Sequence, residues 1–238
     1  MAVAVLAVLA WRRWRGASWV AFGLGALAWV VGVALKFGWS LPTNSLIRQG
    51  LEKVLPQSVS APAFWLYVGL LTGVFECGIS LLFVKRTRLK SSGWEGAVAF
   101  GIGFGAVEAF LLGLIQFLGL LVAVAIWDRF PEDARTAFSQ SPIGLGVAYV
   151  PLPIAERLSA LLAHVFTCVL IVYGVRAGEQ RWFWLAFVYK SVLDAFAAWG
   201  ILATEFSKSI SGMIAFESAI GVFAFLGLAG LAFLRGRF

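Results

Sequence analysis

Uncharged apolar runs that approach or exceed the roughly 20 residues needed to cross about 30 Å of hydrocarbon recur along this whole sequence. Water cannot be the main solvent of such a chain. Of its 238 residues, 61% are hydrophobic and 13% charged, whereas soluble domains average about 45–50% and 25%. In lipid the backbone satisfies its polar groups only as α-helices or closed strand barrels. Barrel strands alternate apolar and polar residues over about 10 positions, and that alternation is absent here. The expected fold is therefore all-α: a polytopic transmembrane bundle of about seven spans, forming one domain over residues 1–238.

The opening run MAVAVLAVLAW is about half a span long, so it reads as a tilted stub, a cleaved signal or a helix whose start lies further upstream. A signal is the weaker reading, because Arg12, Arg13 and Arg15 follow the run instead of preceding it. Longer spans are expected near 17–36, 63–84, 94–127, 155–175, 182–203 and 210–234. After the first of these, Gly38 and Pro42 open a polar stretch with a short amphipathic piece at 46–55, expected at the interface. The 94–127 run would be about 50 Å long as continuous helix, so it must tilt, bend or protrude. The mixed-charge segment 128–140 reads as a solvent loop, and Pro142, Pro151 and Pro153 mark the approach to the next span.

Lysines and arginines divide unequally between alternate loops. The clusters at 12–15, 85–90, 176–181 and 235–237 carry eleven, and the opposite side carries six: Lys36, Arg48, Lys53, Arg129, Arg135 and Lys208. Cytoplasmic loops retain such charge, which puts the N-terminus outside and the C-terminus inside a cell membrane of the bacterial plasma-membrane type. Trp11, Trp14, Trp39, Trp94, Trp127 and Trp182 fall near span ends, as an aromatic belt requires. The net charge of +7 sits in short clusters beside spans, which suits anionic lipid headgroups and excludes nucleic acid as the expected partner. Cys77 and Cys168 lie inside apolar runs and read as packed thiols.

Against this background, ionisable residues inside the spans stand out: Glu76, Glu108, Glu156, Arg157, His164, Lys190, Asp194 and Glu217. Each costs about 2.5–3.5 kcal/mol at a span centre on insertion scales, so each should face protein or a wet cavity. Arg157 and His164, seven apart, share a helix face, and Lys190 and Asp194, four apart, can pair. A stripe of small residues at 101, 105, 109 and 113 should bury Glu108 against a neighbouring helix. The run GIGFGAVEA lacks the strand and spacing of a dinucleotide fingerprint. Structural readings stand beside functional ones: an interfacial pair for Glu156 and Arg157, an interhelical hydrogen bond for His164, an ion pair for Lys190 and Asp194, and a structural role for Glu217. Glu76 and Glu108 have no cationic partner one turn away.

The segments VFECGISLL, GIGFGAVEAFLLG, ERLSALLAH and KSVLDAF, on four successive long spans, resemble the YhfC family in order and spacing. That family is similar to the glutamic-type intramembrane proteases related to CAAX-processing endopeptidases. The resemblance implies a Glu-Glu-Arg set on one helix, a first histidine that activates water with glutamate, and a second histidine four residues before Asn or Asp. Glu76, Glu108, Glu156, Arg157, His164 and Asp194 match that pattern. Cys77 replaces the second glutamate, Ser80 the arginine, Phe104 a histidine and Lys190 the second histidine.

Peptide hydrolysis needs a base for water, a proton donor for the amine and a donor for the oxyanion. Glu76 and His164 can share the first two roles, and Lys190 can supply the third. One histidine with scattered carboxylates does not make a three-ligand zinc site, so neither metal nor cofactor is expected. The expected partners are membrane lipids and a transmembrane peptide or protein substrate. The alternatives are a non-catalytic pseudo-protease that binds a membrane partner protein, and a proton-coupled transporter built on buried carboxylates.

Overall fold

The computed structural model describes residues 1–140 and 150–238, and Pro142 lies outside them. Its helices are α1 (Ala2–Arg15), α2 (Trp19–Val54), α3 (Gln57–Thr72), α4 (Gly78–Arg86), α5 (Trp94–Ala125), α6 (Glu132–Gln140), α7 (Pro151–Ala177), α8 (Gln180–Ala203) and α9 (Ile210–Arg235). A five-residue π-helix, Gly73–Cys77, fuses α3 and α4 into one rod. Among the described residues six stretches are long and apolar enough to cross a bilayer: α2, the α3–α4 rod, α5, α7, α8 and α9. At about 21 Å, α1 is shorter than the hydrocarbon is thick. The protein is a multi-pass, all-helical membrane bundle.

Five elements close into a ring. α2 packs on α5, α5 on α7, α7 on α8, α8 on α3 and the π-helix, and these return to α2. α1 lies outside the ring against α5, and α9 lies outside it against α7. α7 is the most enclosed, with Ala163, Val169, Ile171 and Val172 almost without exposure. The short α1 is held by small residues, with Ala4 set against Ala106 and Ala109.

Two stretches differ from the sequence reading. No break occurs at Gly38 and Pro42: α2 runs unbroken for 36 residues, and the amphipathic 46–55 piece forms its last turns. Proline removes one backbone donor, but in membrane helices side chains and neighbours re-satisfy the freed groups. Just after the proline the Thr43 hydroxyl donates to the Trp39 carbonyl at 2.7 Å, and Tyr67 of α3 bonds both Trp39 and Thr43, which ties the extension to α3. The segment 128–140 is not a plain loop either. A 3-10 turn at Trp127–Arg129 leads into α6, whose first turn carries Glu132 and Asp133 where a helix N-terminus favours negative charge.

The basic helix ends gather on one face. Phe238 packs on Trp94 and Tyr173, with Arg176 over its ring. Arg176 also donates to the Ser92 carbonyl, and the Trp11 indole donates to the Glu95 carbonyl. The ends of α1, α7 and α9 therefore meet the start of α5.

Candidate functional site

Glu76 sits inside the π-helix, where one extra residue per turn re-aims side chains relative to a regular helix. Its neighbour α8 comes unusually near. A Cβ built on Gly69 would fall 2.1 Å from the Ser191 carbonyl oxygen, and one on Gly73 would fall 2.3 Å from the Ser191 hydroxyl. The spacing Gly-x-x-x-Gly is the small-residue device that lets membrane helices touch. It brings Lys190 and Asp194 beside Glu76.

A first polar nest results. Lys36 Nζ of α2 donates to Glu76 Oε1 at 2.5 Å and to Thr72 Oγ1 at 3.4 Å. Lys190 Nζ donates to Asp194 Oδ1 at 2.9 Å and faces Glu76 Oε2 at 3.6 Å. Glu76 and Lys190 are almost fully buried, and Oε2 of Glu76 has no hydrogen-bond partner among the described residues. Removing one member of a buried pair leaves an uncompensated charge, a loss of about 3–5 kcal/mol.

The second nest centres on Glu108. Its Oε2 accepts from the Trp29 indole at 2.8 Å and lies 3.0 Å from His164 Nε2. Its Oε1 faces Arg157 Nη1 at 3.7 Å, too long for a hydrogen bond. Arg157 is also paired with Glu156, while Nη1 itself is buried without a hydrogen-bond partner among the described residues. A water can bond to both Oε1 and Nη1 across such a gap.

α2 ties the two nests together. Trp29, Gly32 and Lys36, at i, i+3 and i+7, lie on one face. Trp29 reaches Glu108, Lys36 reaches Glu76, and a Cβ on Gly32 would fall 3.1 Å from the Phe75 carbonyl oxygen beside Glu76. Depth can be counted at 1.5 Å per residue from the helix ends on the basic face. Glu76 and Lys190 then lie about 15 Å deep, Glu108, His164 and Asp194 about 20 Å, and Lys36 and Arg157 about 25–30 Å. The polar interior thus runs from the middle of the bundle towards the face opposite the basic clusters. Exposure follows the same gradient: Glu76 and His164 side chains are 3% exposed, and Glu156 is 36% exposed.

The structure therefore brings Glu108, Arg157 and His164 together, and separately Glu76, Lys190 and Asp194. Glu156 joins the first group through Arg157. The absence of a cation one turn away from Glu76 or Glu108 proves misleading, because other helices supply Lys36, Lys190 and Arg157. Glu217, on α9, lies within electrostatic reach of Glu156 and Arg157, and its buried Oε2 has no hydrogen-bond partner among the described residues. Cys77 and Cys168 are buried free thiols. Ser80 is buried too, and the Phe104 ring packs 5.1 Å from the imidazole of His164. Sequence reasoning missed Trp29, Lys36 and Thr72. Reading Lys36 as a span end hid it, although its seven-residue spacing from Trp29 on an apolar helix was visible.

The family model for the YhfC intramembrane metalloprotease matches residues 1–214. The chain belongs to that family. It is also 27% identical over 190 residues, 72% of this chain and 69% of the other, to the uncharacterized membrane protein YhfC of Bacillus subtilis (strain 168). No solved structure matches it. Glu217 falls beyond the part matched by the YhfC model. The family's description implies a metal, and the donor set here does not fit one. Among the described residues no three His, Cys, Asp or Glu side chains gather as a metal-binding group. The chain's one histidine directs Nε2 at Glu108, and the ammonium of Lys190 stands between Glu76 and Asp194.

Proposed function

We propose that this protein is an intramembrane peptidase that hydrolyses a peptide bond of a membrane-associated substrate, with Glu108 and His164 activating water. The reading rests on one observation: His164 Nε2 lies 3.0 Å from Glu108 Oε2, while Oε1 faces Arg157 Nη1 across 3.7 Å, a gap that a water can bridge. Water bound at Oε1 loses its proton to the Glu108–His164 pair, and the resulting hydroxide attacks the scissile carbonyl carbon. The unpartnered Nη1 of Arg157 donates to the oxyanion. The held proton then passes to the leaving nitrogen as the C–N bond breaks. Glu156 orients Arg157, and Glu76, Lys190 and Asp194 hold α2, the π-helix and α8 in place around the pair. Lys190 is given this positioning role, not the oxyanion, because its Nζ lies against Asp194 and Glu76, whereas Arg157 faces Glu108.

The same reading takes residues 1–238 as one transmembrane domain with the N-terminus outside and the C-terminus inside. The gathering of basic helix ends on one face supports it. Substrate then reaches the centre from the outer face, past Glu156 and Arg157.

Purified protein in lipid vesicles, given a transmembrane peptide in H2 18-O, tests the chemistry. Cleavage should place one heavy oxygen in the new carboxyl terminus, and Glu108→Gln or His164→Ala should slow it by about 10²–10⁴-fold. Cleavage that neither substitution alters would refute the assignment. A second reading is favoured by Phe104 lying against His164: a non-catalytic member that binds a transmembrane segment or partner protein. Under it, a photo-crosslinkable transmembrane peptide is captured equally by wild type and His164→Ala and is never cut.

A further inference from the structure

The description of the family and the donor set of this chain disagree over what carries positive charge at the centre of the bundle. Three observations bear on that position. Lys190 Nζ lies 2.9 Å from Asp194 Oδ1 and 3.6 Å from Glu76 Oε2, between carboxylates that come from different helices. Glu76 is 3% exposed, and its Oε2, which faces the ammonium, has no hydrogen-bond partner among the described residues. The other oxygen of Glu76 is already taken by Lys36 at 2.5 Å.

We infer that Lys190 is a tethered cation which occupies, between Glu76 and Asp194, the position a divalent metal would take, so that this chain holds its polar interior together without a metal. The physical basis is electrostatic. Two carboxylates on either side of one position inside the bundle, Glu76 3% and Asp194 24% exposed, call for positive charge there, and either an ammonium or a hard cation coordinated by oxygen can supply it. A lysine supplies it permanently and leaves no coordination site vacant. The carboxylate oxygens of Asp194 and Glu76 lie against Nζ, and the imidazole that would complete a nitrogen-oxygen set is bound to Glu108 in the other nest. The inference is independent of peptidase turnover, because its test reads metal content and stability.

Replacing the lysine by histidine should open the site. An imidazole is shorter than a lysyl side chain, and a Zn–N bond of about 2.0–2.1 Å makes up the difference, so a metal on His Nε2 would sit near the present Nζ. Asp194 and Glu76 would then move in from 2.9 and 3.6 Å to the roughly 2.0–2.2 Å of Zn–O bonds.

The experiment uses tag-free full-length protein in detergent, incubated with zinc chloride, desalted and analysed for metal per chain by plasma mass spectrometry. Wild type should retain no stoichiometric zinc, and its melting temperature should be unchanged by zinc or by chelator. Lys190→His should retain about one zinc per chain, and should lose it when Glu76→Gln is added. Wild type holding one metal per chain that Glu76→Gln abolishes would overturn the inference, as would a Lys190→His protein that retains no more than wild type. Should Lys190→His not fold, Lys190→Met provides a second arm. It should lower the melting temperature, and Glu76→Gln with Asp194→Asn should recover most of the loss. A loss of equal size with and without those carboxylates would show that the ammonium is not their countercharge, and would also overturn the inference.

Discussion

Glu108 illustrates how much one carboxylate depends on groups that are remote in sequence. Its Oε2 takes donors from α2 and α7, through Trp29 and His164, and its Oε1 faces Arg157. Glu108 and His164 were legible as ionisable residues within apolar spans, and the family-like segments pointed to the same positions. Trp29 was not, because an indole in a membrane span gives no signal until a partner is seen. Trp29→Phe removes one donor to a charged group and should cost about 1.5–3 kcal/mol of stability, read as a lower unfolding midpoint in detergent. Lys36→Met should cost about 1.5–3 kcal/mol, since it removes the hydrogen-bond donor of Glu76 and leaves that carboxylate only the longer contact to Lys190, and the cost should shrink sharply in a Glu76→Gln background. A double-mutant cycle measures that coupling, and additive losses would deny the pair.

At the scale of elements, the spans were legible because bilayer thickness fixes their length, and observed helix ends fall within a few residues of several expected ones. Two features were not. The π-helix has no sequence signature in GVFEC, and α2 continues through Pro42 where Tyr67 of another helix bonds the side chains of Trp39 and Thr43 on either side of it. Both are tertiary effects, invisible to a reading of local propensity. The near contact of α3 with α8 leads to a prediction about Gly69. Gly69→Val should destabilise by about 1–3 kcal/mol or more through overpacking, whereas Gly23→Ala should be close to neutral, because nothing lies within 4 Å of its Cβ. Thermal unfolding of the two variants side by side checks both. Deleting the exposed Val74 should relax the π-helix to regular α-helix while its flanks stay in register. Glu76 would turn away from Lys36, and the coupling measured by the double-mutant cycle should vanish.

For the whole molecule, closure of five helices into a ring explains why residues scattered from position 29 to 194 meet. Glu76 and Glu108 take their cationic partners from other spans, so the ring forms where charges of different helices compensate one another. The order of the spans was readable from the sequence, but which spans are neighbours was not, because every span is apolar on most of its surface. Orientation is open to direct test, since both native cysteines are buried and should resist labelling. In intact cells, a membrane-impermeant thiol reagent should label a cysteine introduced at Lys53 or Lys208 and leave one at Arg88 or Arg237 unmodified until the membrane is opened. The reverse pattern would invert the proposed topology.

The central claim is that Glu108 and His164 act as one unit on water. Single-turnover cleavage of a vesicle-embedded peptide, measured for wild type, Glu108→Gln, His164→Ala and the double variant, tests it most directly. Residues that share a step lose their effect together, so the double variant should be no slower than the worse single one. Rate losses that multiply in the double variant would contradict a shared proton, and equal rates in all four proteins would contradict the site itself.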